Sequence, residues 1–280
     1  MSYKTLAVST QNHIAHVILN RPEAMNSMNI DFWKEFPAAI DEINRAAEAR
    51  VIVISSTGKH FSAGMDLAVF TNSDTLPSKG EPARMAENLR RLVLQLQETF
   101  NVLESARIPV LTAIHGGCIG GAVDLICASD SRYCTEDAYF TIKETQLGMT
   151  ADLGTLQRMP HLIPQGLVRE LAYTGRNMDA AEAKACGFVN KIYPSQEAML
   201  DGVMEVATLI AKQSPMAVAG CKEMINYSRD HSVSDSLRYM ATWQSGMFRP
   251  QDMMKCFQAK ATKTDPDFDP LHPIKPAFDK

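Results

Sequence analysis

Three carboxylates, Asp124, Glu144 and Asp152, follow a glycine-rich turn, His115-Gly116-Gly117-Cys118-Ile119-Gly120-Gly121-Ala122-Val123-Asp124-Leu125. A turn of this kind leaves backbone N–H groups free to hold developing negative charge, and carboxyls move protons. A protein that shifts protons beside a carbonyl needs both within reach of one substrate. A second loop of small residues, Thr57 to Leu67, also follows an apolar strand and ends in Ala63-Gly64-Met65-Asp66. Each loop opens toward a helix, whose N-terminal N–H groups and macrodipole favour an anion. Two such donors converging would hold an oxygen as it takes on enolate charge.

Structural roles stand beside these chemical ones. Glycines serve tight turns. Asp124 falls in the first turn of a helix, where an acid is favoured without any catalysis. Glu144 follows a strand and fits a strand-end charge, while Asp152 precedes Leu153-Gly154-Thr155 and fits an N-cap. Spacing alone leaves both sets of readings open.

The elements that must position these residues alternate. Residues 5–20 read as two strands joined at Gln11-Asn12, with Leu6, Val8, Ile14, Val17 and Leu19 inward. His13 and His16 alternate in this stretch and read as surface or edge residues. Asn29 or Asp31 caps a helix carrying Trp33, Phe36, Ile40 and Ile43, with Pro37 inside it. Val51–Ile54 is an all-apolar run, as in a strand covered on both faces. Residues 71–84 read as a mobile surface loop. A helix follows with Leu89, Leu92, Leu96, Phe100 and Leu103 on one face. Pro109–Ile114 is a strand, Gly121–Ala128 a helix, and Arg132–Cys134 and Tyr139–Ile142 are strands. This order predicts an α/β fold with a sheet buried by helices. Past about 195 only helical signals remain, including Met199, Val203, Val206 and Ile210, then a helix opened by Ser214 and Pro215. The expectation is an α/β core over 1–195 and a helical region over 196–280, with a surface tail from Asp265 to Pro276.

Bulk properties narrow the field. The chain has 280 residues, 45% hydrophobic and 21% charged, with net charge −4, so neither nucleic acid nor an anionic membrane is an expected partner. No apolar run approaches the roughly 18 residues of a membrane span. The first residues lack a signal-peptide core or an Arg-rich presequence, and the last lack a peroxisomal address, which sets a cytoplasmic expectation. The six cysteines form no C-x-x-C pair and read as small buried hydrophobes. Motifs for zinc proteases, P-loops, dinucleotides or a serine nucleophile elbow are missing, so no metal and no separate cofactor is expected.

From about residue 5 to 260 the chain resembles the crotonase (enoyl-CoA hydratase/isomerase) superfamily. Leu19-Asn20-Arg21-Pro22-Glu23-Ala24-Met25-Asn26, Phe61-Ser62-Ala63-Gly64-Met65-Asp66-Leu67 and the His115–Leu125 turn match its landmarks in order. The resemblance implies a spiral of ββα units, a helical trimerisation region and a homotrimer or dimer of trimers. It also implies acyl-CoA substrates, with coenzyme A part of the substrate. By motif, the oxyanion hole falls to the N–H groups of Met65 and Gly121, and substrate contacts to Ala63, Gly64, Met65, Asp66, Leu67, Ala68 and Ala122.

Within that superfamily the acids are most similar to the Δ3,5-Δ2,4-dienoyl-CoA isomerase subfamily of fatty acid β-oxidation. A hydratase carries Glu where Asp124 stands here, paired with a second Glu at 144 on one water. The shorter Asp124 and the third acid, Asp152 in Ala151-Asp152-Leu153-Gly154-Thr155, mark the isomerase pattern. Ala122 departs from a glycine common there. The resemblance implies Asp152 as base at C2, Glu144 as acid at C6 and Asp124 in support. Hydration of a 2-enoyl-CoA, a Δ3-Δ2 shift, and a non-catalytic acyl-CoA or RNA-binding role are the alternatives.

Overall fold

A computed structural model describes residues 3–71 and 80–275, the side chains of 70 and 71 excepted. The chain opens with β1 (Leu6–Gln11) and β2 (Ile14–Leu19), antiparallel and joined through Asn12 and His13, both at positive φ. Helix α1 (Ile30–Ala46) follows, with the Asn29 side chain accepting the Phe32 N–H as its cap. β3 (Val51–Ser56), β4 (Val110–Ile114), β6 (Ser131–Thr135) and β9 (Lys191–Tyr193) extend the sheet in parallel, in the order β1-β2-β3-β4-β6-β9. A smaller sheet takes β5 (Gly117–Ile119), β7 (Tyr139–Thr141) and β8 (Met178–Asp179). Consecutive strands therefore feed the two sheets in turn, β4 then β5 before α4 (Gly121–Cys127), β6 then β7 before the next helices. This is the expected spiral of ββα units.

The all-apolar β3 is explained by cover on both faces. Ile52 and Ile54 pack with Phe32, Phe36 and Ile40 of α1 and with Phe100 and Leu103 of α3 (Pro82–Ser105). Val51 and Val53 face the other way, onto Met199, Val203 and Ala207 of α8 (Gln196–Ala211). Between β3 and α8 lie α2 (Leu67–Thr71), α5 (Thr155–Arg158), α6 (Gln165–Thr174) and α7 (Ala180–Ala185). After α8 come α9 (Pro215–Ser228), α10 (Val233–Met247) and α11 (Pro250–Thr262). Ser214 caps α9 and Pro215 opens it, as read from sequence.

Some local expectations change. Residues 82–84, assigned to a loop, form the first turn of α3, because Pro82 sits at N1 and the Glu81 carboxylate accepts the Ala83 and Arg84 N–H groups. Of the same expected loop, 72–79 lie outside the described residues. Leu89, expected to face inward, is 49% exposed, since cover on α3 concentrates at its C-terminal half. His16 is half-buried and not at an edge: β2 is the second strand, and His16 Nε2 pairs with Ser55 Oγ at 2.8 Å. Cys118, Cys127 and Cys134 are buried, but Cys221 and Cys256 are exposed on the C-terminal helices. The tail is pinned as it crosses the surface: Phe268 and Leu271 are buried, and Arg50 and Arg107 donate to the Phe268 and His272 carbonyls at 2.7 and 3.0 Å.

Candidate active site

The loop after β3 is built from polar contacts to the turn at 21–27. Met25 and Asn26 hold positive φ, which turns the Asn26 amide inward to donate to the Thr57 and His60 carbonyls at 2.7 and 3.0 Å. Ser62 Oγ donates to the Asn26 carbonyl at 2.8 Å and accepts the Gly64 N–H at 3.1 Å. Asp66 Oδ2 accepts from Arg21 at 2.7 Å and from Ser27 at 3.2 Å, and the Arg21 hydrogen bond holds its carboxyl below the ordinary range. Ser62, absent any elbow motif, is thus a brace for the loop.

The glycine turn meets that loop backbone to backbone. Gly120 donates its N–H to the Thr141 carbonyl at 2.9 Å, and Gly121 begins α4. Gly64 sits at φ +81, and a Cβ there would overlap the Ile119 carbonyl oxygen and come 3.2 Å from the Gly121 nitrogen. A Cβ on Gly121 would lie 3.8 Å from the Met65 nitrogen. Among the described residues, neither the Met65 nor the Gly121 N–H donates to a protein acceptor. At Gly121 this follows from its place in the first turn of a helix.

Both groups border a cleft of about 570 Å³, and so do Ala63, Asp66, Leu67, Glu144 and Asp152. Seven of the residues picked from sequence therefore share one cavity. Four do not line it. Gly64, Ala122 and Asp124 lie buried behind its wall, and Ala68 is on the exposed side of α2.

The acids differ in surroundings. Glu144 starts the turn after β7; its Oε2 is buried and has no hydrogen-bond partner among the described residues. Burial, then the nearby Asp124 and Asp152, push its carboxyl up to about 7. Gly120, at φ +54, makes room for it: a Cβ there would sit 3.2 Å from Glu144 Oε1. Burial also raises Asp152, which is less enclosed. Asp124 is 1% exposed, and burial pushes it up to about 6 although its Oδ1 accepts the Thr155 N–H at 2.6 Å. Two carboxyls able to carry protons thus face the same apolar cleft as two free N–H donors, an arrangement suited to moving a proton beside an oxygen that becomes anionic.

Sequence reading missed much of the cleft's apolar wall: Met25, Ile119, Leu147, Met149 and Leu153, with Lys143 at its edge. One signal was available. Gly148, at φ +74, closes the 144–147 turn and so places Leu147 and Met149 on either side of itself.

The family model described as Enoyl-CoA hydratase/isomerase matches residues 9–270. The chain is 49% identical to the mitochondrial Delta(3,5)-Delta(2,4)-dienoyl-CoA isomerase of Pongo abelii, over 92% of this chain and 79% of the relative. It is 42% identical to the peroxisomal enzyme of that name from Arabidopsis thaliana, over 95% of this chain and 98% of the relative. The solved enoyl-CoA hydratase of Bacillus anthracis superposes with a TM-score of 0.84 at 29% identity, covering 95% of this chain and 99% of that one. These relatives overturn the cytoplasmic expectation, since their names place them in mitochondria and peroxisomes. The expectation rested on missing address motifs, and a missing motif carries no physical information about compartment. From the matched stretch, the identities and the shared architecture, the chain belongs to the enoyl-CoA hydratase/isomerase family.

Proposed function

We propose that the protein converts a 3,5-dienoyl-CoA into the 2,4-dienoyl-CoA, as the names of its relatives describe for them. The observation that carries this reading is that Glu144 and Asp152 border one cleft with the Met65 and Gly121 N–H groups. The thioester oxygen sits between the two donors. Asp152, ionised, takes a proton from C2, and the electrons pass to the thioester oxygen, giving an enolate conjugated with the whole diene. Each donor is worth about 3 kcal/mol at that stage. Glu144, which holds its proton near neutrality because of burial, delivers it to C6 as the electrons return along the chain. The double bonds then lie at C2 and C4. Asp152 ends protonated and Glu144 ionised, and exchange with water resets both. Coenzyme A enters as part of the substrate, and no separate cofactor takes part.

Hydration of a 2-enoyl-CoA is the second reading, motivated by the hydratase among the solved relatives. It asks for two acids on one water at positions 124 and 144. Asp124 lies behind the cleft wall with Oδ1 on the Thr155 N–H, which favours isomerisation. Purified protein assayed with a 3,5-dienoyl-CoA and with crotonyl-CoA separates the two. Isomerisation is expected to dominate, and hydration far exceeding it would reject the proposal.

The protein acts as a homo-oligomer, a trimer or a dimer of trimers. Support comes from α10, in which no residue is buried and Val233 and Leu237 are 77% and 66% exposed.

A further inference from the structure

We propose that Gln97 is a positioning residue for Asp152, acting with an Arg158–Glu104 clamp on the same face of α3. This rests on the reading of Asp152 as the base. Gln97, Asn101 and Glu104 are spaced four and three apart, so they share one stripe of the helix. All three grip the segment 152–158. Gln97 Nε2 donates to the Asp152 carbonyl at 2.7 Å. Arg158 Nη2 donates to Asn101 Oδ1 at 2.6 Å, and Arg158 Nε and Nη2 donate to Glu104 Oε2 at 2.9 and 2.7 Å. The same guanidinium reaches back through Nη1 to the Leu153 carbonyl at 3.3 Å.

Two features show why hydrogen bonds have this task. The outer side of the segment faces a polar trough of about 300 Å³, lined by Gln97, Asn101, Glu104, Gly154 and Arg158 among others, so apolar packing does not fix it from that side. Gly154 holds φ +132, and a Cβ there would overlap the Arg158 guanidinium. The guanidinium occupies the space a side chain would fill. Burial raises the Glu104 carboxyl, but hydrogen bonds from Arg158 and from Arg229 outweigh it and hold Glu104 below its ordinary value, so the clamp stays charged at neutral pH. The peptide of the base is thus gripped at its own carbonyl by Gln97 of α3 and at the next one by Arg158, which α3 holds through Asn101 and Glu104. A base misplaced by about 1 Å loses around a hundredfold in rate.

The test is Gln97→Leu, which keeps bulk and removes the donor, with Arg158→Lys as a second variant that keeps the charge opposite Glu104 and loses the fork. Each is assayed with a 3,5-dienoyl-CoA over pH 5–9 beside wild type and Asp152→Asn, with melting temperatures recorded. The expected result is a fall in kcat of about ten- to a hundredfold, KM within about twofold, and a displaced acid limb of the pH profile. The melting temperature of Gln97→Leu should stay near wild type. A kcat for both variants near that of wild type, or a lower kcat with the acid limb in place, overturns the positioning role. Near-normal activity of Asp152→Asn instead overturns the reading of Asp152 as base, so the two failures are told apart.

Discussion

Asp124 Oδ1 accepts the Thr155 N–H at 2.6 Å, so the acid nearest the glycine turn is bonded to backbone three residues beyond Asp152. Its side chain joins the first turn of α4 to the start of α5 and leaves the cleft to the other two acids. The cost of that placement depends on pH.

In the folded protein the Asp124 carboxyl titrates at about 6, against an ordinary 3.8. Between those values the folded state keeps a proton that the unfolded chain releases, so stability falls as pH rises through this window and levels off above about 6. Asn has no such proton. Asp124→Asn is therefore expected to exceed wild type by about 3 kcal/mol at pH 8 and to match it at low pH. Urea unfolding at about pH 4 and pH 8 checks this; a gap of the same size at both would refute it.

In the proposed isomerisation Glu144 must hold its proton to deliver it. With its carboxyl at about 7, turnover should fall on the alkaline side of neutrality as that proton is lost. Glu144→Gln should lower kcat by about a thousandfold, since the amide has no proton to give at that step. A pH–rate profile flat from 6 to 9 would remove Glu144 as the acid.

Gly64 carries the Met65 N–H into place. A Cβ at φ +81 is strained and meets the Ile119 carbonyl, so Gly64→Ala must push the two turns apart. The expected outcome is a loss of about a hundredfold in kcat, the scale of one oxyanion donor, with a smaller change in KM. Steady-state kinetics with a 3,5-dienoyl-CoA decide it. A variant with wild-type kcat would mean the donor pair is not fixed by this contact.

The open face of α10 gives a prediction about assembly. Leu237 is 66% exposed, and a charge there would disrupt any partner packed on it. Light scattering should give wild type the mass of at least a trimer and Leu237→Glu a smaller mass with unchanged circular dichroism. Wild type running as a single chain would exclude the oligomer.

Much of the fold was legible because its signals were local. Val51–Ile54 announced a strand covered on both sides, and Ser214-Pro215 marked a helix start with its own cap. The short strands β5 and β8 were not legible: three and two residues carry no periodicity, and their pairing is between distant segments. Among the acids, types were visible and directions were not. Nothing in the spacing of Asp124 and Asp152 says that one lies behind the cleft wall and the other on it. That depends on Thr155 being brought to α4 from thirty-one positions along the chain. Gln97 was hidden for the same reason, because its partner is a carbonyl, which every residue has.

The parallel pairing of β5 with β7 sets a fixed length inside the molecule. Ile119 stands opposite Thr141, with Gly121 two residues past the first and Glu144 three past the second. The offset between the glycine turn and the Glu144 carboxyl is thus set by pairing across a ladder whose strands lie about 4.8 Å apart. Such a gauge moves only in whole steps: a slip of one residue would turn every side chain of β7 to the opposite face. Which carboxyl stands beside the glycine turn is therefore set by main-chain register, and core substitutions that spare the register leave that neighbour in place.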